Sequence, residues 1–171
     1  MLCGKGGYVV EPSKEWSDDL WFIDQNKRDF IANEGYWTIH KGEAEGTIIG
    51  GNLGTFDLLL GSPYRPAFKK NTVLFVENCF GSAGDDTTFL RELQALAYQP
   101  DFINVKAVVI GRFQKASEIS REKLEYIVNS IPQLKELPVI ANVDFGHTTP
   151  MLTLPIGGRC EITSDGIQVQ I

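Results

Sequence analysis

An α/β fold with a mostly parallel core sheet follows from three features of this sequence. Three apolar runs of strand length recur along the chain: "NTVLFVEN" (71–78), "VKAVVIGRF" (105–113) and "LPVIANVDFGH" (137–147). Two amphipathic helical patterns lie between them, "DDTTFLRELQALAYQ" (85–99) and "SREKLEYIVNSI" (120–131). The strands are near-continuously apolar, as strands covered on both faces are. Strand–helix–strand–helix–strand at this spacing implies right-handed crossovers and a parallel sheet, with further β structure added from both ends of the chain.

Each element has a local reason. Residues 1–45 hold all three tryptophans, many acids and little periodicity, and read as a connecting segment with short strands. Such an exposed aromatic segment either covers a site or is anchored to the core by its tryptophans. "GTIIGGNLGTFDLLLGSPYRP" (46–66) reads as a short strand, a Gly-Gly-Asn turn, a short helical stretch and a Pro-rich loop. In the first long helix Phe89, Leu93, Leu96 and Ala97 share one face, with Asp85 or Asp86 as N-cap. In the second, Leu124, Ile127, Val128 and Ile131 face inward, Ser120 caps the start and Pro132 ends it. The tail "CEITSDGIQVQI" reads as a hairpin on a Ser-Asp-Gly turn.

With 171 residues, one domain spanning 1–171 is expected, large enough to bury a core without disulfide or metal. Sixteen basic against 22 acidic residues leave a net charge of −6, which argues against a nucleic-acid polymer or an anionic membrane as partner. The three cysteines, at 3, 79 and 160, form no CxxC pair, so neither a disulfide framework nor a zinc site is expected. No apolar run approaches the ~20 residues of a membrane helix. The expectation is a soluble, cytoplasmic protein without cofactor or metal.

Catalytic groups in α/β folds collect at the carboxyl ends of strands. Two ionisable residues fall there, Glu77 closing "VLFVE" and His147 closing "VDFGH". A carboxylate accepting the Nδ1 proton of an imidazole fixes its tautomer and stabilises the imidazolium formed when Nε2 takes a proton. Spacing alone does not establish that pairing, because a glutamate and a histidine so far apart are more often unrelated. The nucleophile is missing: no Gly-x-Ser-x-Gly elbow occurs. Ser82 reads as part of a Gly/Ser loop, and Cys79 lies too close to Glu77 with nothing nearby to activate it. His40 alternates with apolar residues as a surface strand residue without an acidic partner.

Several motifs in order, "GEAEGTIIGGNLGTFDLLLGSPYRP", "NTVLFVEN", "VVIGRFQ" and "PVIANVDFGHTTPMLTLPIGG", resemble the C-terminal domain of the LD-carboxypeptidase family of serine peptidases. Within it, "EWSDDLWFIDQ" and "DFGHTTP" look most like the microcin C self-immunity branch. The resemblance runs from about residue 11 to the end. It implies a layered β/β/α domain of the swivelling type and a Ser–His–Glu triad whose serine lies in an N-terminal domain absent from this chain. By motif, the family glutamate matches Glu77 and the family histidine matches His147. The branch cleaves an amide joining a peptide or aminoacyl group to a nucleotide, whose base an aromatic side chain stacks; Trp16 or Trp21 matches that role. Asn52 either hydrogen-bonds a substrate carboxylate or simply tolerates its turn.

One departure is Asn78, where the family often has an acid after the glutamate. The larger one is the absent nucleophile domain, without which the chain is expected to be silent alone. An apolar face exposed by that absence also makes a homodimer an expectation. Two alternatives stay open: a cell-wall LD-tetrapeptide as substrate, and a nucleotide- or muropeptide-binding module that performs no chemistry.

Overall fold

A computed structural model of the protein describes residues 6–20, 22–79, 85–164 and 166–170. The chain begins with four short strands, β1 (Gly7–Val10), β2 (Glu15–Trp16), β3 (Ile31–Ala32) and β4 (Trp37–His40). The alternating part follows: β5 (Ala44–Asn52), α1 (Leu53–Asp57), β6 (Thr72–Glu77), α2 (Asp85–Ala97), β7 (Val105–Gly111), α3 (Arg121–Ser130) and β8 (Val139–Val143). A hairpin of β9 (Arg159–Thr163) and β10 (Gly166–Gln170) closes it.

The eight-stranded main sheet has the order β1-β10-β9-β5-β6-β7-β8-β4. Its centre, β5 through β8, is parallel, and the flanking strands are antiparallel. Strand β6 is buried at every position, in keeping with the apolar run from Val73 to Val76 at its centre. On one face Leu74, Val76, Val108 and Ile110 pack with Phe89, Leu93 and Leu96 of α2 and with Leu124 and Val128 of α3. On the other face Val73, Phe75, Ala107 and Val109 pack with Val10, Ile162, Ile167 and Val169 from β1, β9 and β10. The layers are therefore strand, strand, helix. Each fully buried Leu or Phe in them contributes about 1.5–3 kcal/mol relative to exposure.

The helices start and stop where local chemistry dictates. Ser120 accepts from the Lys123 N–H and caps α3, and Pro132 opens the single 3-10 turn that follows. Asp85 and Asp86 do not cap α2; both lie inside its first turn, where their charge meets the positive end of the helix dipole.

The structure departs from the sequence reading in two further places. Gly50, Gly51 and Asn52 form no turn; they continue β5 to its end. Gly50 has φ +151°, and a Cβ there would lie 1.6 Å from the Phe75 carbonyl oxygen, so glycine lets β5 approach β6 without breaking the strand. Residues 1–45 carry short strands, as expected, and β1 and β4 among them form the two edges of the main sheet. His40 is half-buried rather than a plain surface residue. Its Nδ1 lies 3.1 Å from the Leu134 carbonyl and its Nε2 lies 3.2 Å from Asn129 Oδ1. No described helix is long and apolar enough to cross a membrane.

Candidate active site

The parallel strands end together along one edge. Register pairs Asn52 of β5 with Glu77 of β6, and β7 and β8 bring Arg112 and the segment 144–147 to the same edge. A tight turn, in which the Phe145 N–H donates to the Val143 carbonyl at 2.7 Å, carries the chain out of β8. Gly146 follows with φ +103° and presents His147.

There His147 Nδ1 meets Glu77 Oε2 at 2.6 Å. The two partners differ in exposure, and this asymmetry defines the site. The Glu77 side chain is only 10% exposed, whereas that of His147 is 44% exposed. A buried carboxylate accepting from Nδ1 places the ring proton on that nitrogen and leaves Nε2 to accept another. Nε2 has no hydrogen-bond partner among the described residues. Two glycines make room for the acid: a Cβ on Gly111 or on Gly146 would lie 2.9 Å from Glu77 Cβ.

Beside the pair lies a set of amides and acids. Asn52 caps α1, its Oδ1 accepting from the Thr55 N–H at 3.0 Å and the Thr55 hydroxyl at 2.9 Å. Its Nδ2 faces Asn78 Oδ1 at 3.5 Å. Asn78 in turn donates to Glu92 Oε2 at 2.5 Å. Burial raises the Glu92 pKa, with the Asn78 hydrogen bond pulling the other way. Burial and the neighbouring charge of Glu92 push Asp57 up to about 6. Asn78 and Glu92 carry no motif of their own; the one signal for Asn78 was its position directly after Glu77.

Trp16 stands over Arg112, whose guanidinium carbon lies 5.2 Å from the ring centroid. Both line a cleft of about 440 Å³ with Trp37, Phe113, Ile119 and Asn142. Arg112 is almost fully buried and pairs with Asp144 at 2.5 Å, its Nε donating to Asn142 Oδ1. Asp144 also accepts from the Ser13 N–H at 2.7 Å. Ser17, next to Trp16, exchanges two backbone hydrogen bonds with Thr149, two residues beyond His147. The tryptophan segment is thus tied to the histidine turn. A charge directly after a buried strand was the available signal for Arg112, and the sequence reading missed it.

Trp21 and Ser82 lie outside the described residues. Cys79 is exposed and free, its backbone N–H donating to Asn78 Oδ1. Among the described residues no group of three or more His, Cys, Asp or Glu is placed to hold a metal.

Residues 45–162 match the family of LD-carboxypeptidase C-terminal domains. The chain belongs to that family. It is 46% identical over 155 residues to the putative carboxypeptidase YocD of Bacillus subtilis (strain 168), covering 91% of this chain and 47% of that protein. It is 28% identical over 172 residues to the microcin C7 self-immunity protein MccF of Escherichia coli, covering 97% of this chain and 48% of that protein. The crystal structure of an MccF-like protein from Bacillus anthracis str. Ames superposes with a TM-score of 0.89 at 45% identity, over 96% of this chain and 51% of that one. MccF in complex with glutamyl sulfamoyl guanosine gives 0.78 at 28% identity, over 97% and 50%. This member of the LD-carboxypeptidase family thus spans about half the length of the relatives it matches, with the α/β fold of the MccF-like proteins.

Proposed function

We propose that Glu77 and His147 are the acid and base of a Ser–His–Glu triad whose serine is supplied from outside these 171 residues, and that residues 1–171 act as one domain of a serine carboxypeptidase or amidase. The observation that carries this reading is the 2.6 Å contact between buried Glu77 and the Nδ1 of exposed His147. It is the base half of the arrangement that activates a hydroxyl.

In this reading Nε2 takes the serine proton as the hydroxyl oxygen attacks the amide carbonyl. The imidazolium is stabilised by Glu77 and returns the proton to the leaving amine. Water then repeats the sequence on the acyl-enzyme, and His147 again serves first as base, then as acid. Backbone N–H groups of the serine-bearing half would hold the oxyanion. Asn52, half-buried beside Glu77, offers a side-chain N–H to a substrate carboxylate. Trp16, or Trp21, stacks a nucleobase.

An aminoacyl-nucleotide amide is the favoured substrate. MccF, of which this chain resembles half, is known bound to glutamyl sulfamoyl guanosine and to aspartyl sulfamoyl adenosine. The aromatic cleft around Trp16 suits a base better than a muropeptide. The free thiols of Cys79 and Cys160 fit a cytoplasmic setting.

The test compares hydrolysis of aspartyl sulfamoyl adenosine and of an LD-linked tetrapeptide by this chain alone and joined to a serine-bearing N-terminal half. The joined protein should turn over the nucleotide substrate, and His147→Ala should lower kcat by at least about 10³-fold. Binding without turnover by the joined protein would make this a binding module. Preference for the tetrapeptide would change the substrate class and leave the triad standing.

A further inference from the structure

We infer that Glu92 is a positioning residue, setting the polarity of an amide relay that runs through Asn78 to Asn52 at the edge of the site. Every donor in the relay points the same way. The Thr55 hydroxyl donates to Asn52 Oδ1, Asn52 Nδ2 faces Asn78 Oδ1, and Asn78 Nδ2 donates to Glu92 Oε2 at 2.5 Å. The relay ends on a carboxylate, which only accepts, so the amide end of Asn78 must face Glu92. Its carbonyl end must then face Asn52 and the Cys79 N–H, which donates to it at 3.0 Å.

Reversing Asn78 would turn its NH2 group onto both the Asn52 NH2 and the Cys79 N–H. It would also set two acceptors, Asn78 Oδ1 and Glu92 Oε2, against each other. Bonds aligned in one direction polarise one another, so the orientation is held collectively.

The consequence is a choice of ligand chemistry. Asn52 sits in register with Glu77. With Oδ1 occupied by Thr55 and one Nδ2 hydrogen turned to Asn78, its remaining hydrogen is a donor. The site edge therefore selects an acceptor such as a carboxylate or carbonyl oxygen and disfavours a donor. Glu92 never touches the ligand; it acts through two amides. This inference rests on the reading of Asn52 given above, but its test needs no substrate, so the two fail separately.

The test is the side-chain amide NMR spectrum of this chain. Glu92→Gln is isosteric and can present either end, which releases Asn78. It should shift the Asn52 as well as the Asn78 side-chain resonances, while that of Asn104, bonded to the Phe68 carbonyl, stays in place. Adding Asn78→Asp to Glu92→Gln rebuilds the relay with its donor and acceptor ends exchanged at that one link. The double variant should return the Asn52 resonances towards their original position, which a merely structural role would not do. Should Glu92→Gln fail to fold, Glu92→Asp, which draws the carboxylate back from Asn78, must shift the Asn52 resonances instead. Asn52 resonances that stay put in the single variant, or that the double variant does not restore, would overturn the inference.

Discussion

Gly146 has no side chain because Glu77 occupies the space one would need. A Cβ there would lie 2.8 Å from Glu77 Oε2 and 2.9 Å from its Cβ, and the backbone φ of +103° disfavours any L side chain. The glycine that turns the chain towards His147 is also what admits the carboxylate behind it.

Gly146→Ala should therefore act twice. Backbone strain should cost about 1–3 kcal/mol of stability. The displaced carboxylate should also release His147 Nδ1. Urea unfolding reads the first effect and the His147 imidazole resonances the second. A variant that loses neither would show that the turn tolerates a methyl group and that the glycine is incidental.

The pair Arg112–Asp144 is enclosed, its side chains 1% and 2% exposed. Breaking one side leaves an uncompensated charge, so Asp144→Asn should cost about 3–5 kcal/mol. Pairing that change with Arg112→Met should recover part of the loss. Because Asp144 also holds Ser13, the single variant should loosen the segment that carries Trp16, measured as a red shift of tryptophan fluorescence. Equal losses in the single and double variants would show that the charge pair is not the source.

Asp57 carries a pH signature. Its carboxyl is pushed from the ordinary range to about 6, first by burial and then by Glu92. The folded protein therefore binds this proton more tightly than the unfolded chain does. Its contribution lowers stability as pH rises from about 4 to about 6 and is fully unfavourable above that. Asp57→Asn should raise stability near pH 7 by about 1 kcal/mol, solvent screening having reduced the larger value the shift alone implies. The gain should vanish at about pH 2, well below the unfolded value, where the acid is protonated in both states. A gain independent of pH, read from denaturant unfolding at both values, would contradict this.

Much of the fold was legible because its signals are local. The run 73–76 is apolar and buried throughout, and α3 announces its own start and stop through Ser120 and Pro132. The Gly-Gly-Asn segment misled because glycine marks turns in general, whereas here it lets two strands approach closely. Edge strands β1 and β4 have mixed burial and no periodic pattern to read. At the candidate site, Glu77 and His147 stood out by their places at strand ends, and the family resemblance was needed to link them as a pair. Arg112, Asp144, Asn142 and Glu92 were not, because each takes its meaning from a partner distant in sequence, as Ser13 does for Asp144.

The central claim is that Glu77 holds the Nδ1 proton of His147 and leaves Nε2 as the base. Nitrogen-15 NMR of the His147 ring in this chain tests it most directly. The account predicts a neutral ring protonated at Nδ1, and a mixture of tautomers once Glu77→Ala removes the acceptor. A neutral His147 protonated at Nε2 in the unaltered chain would contradict it, because that nitrogen would then have no lone pair to offer a hydroxyl.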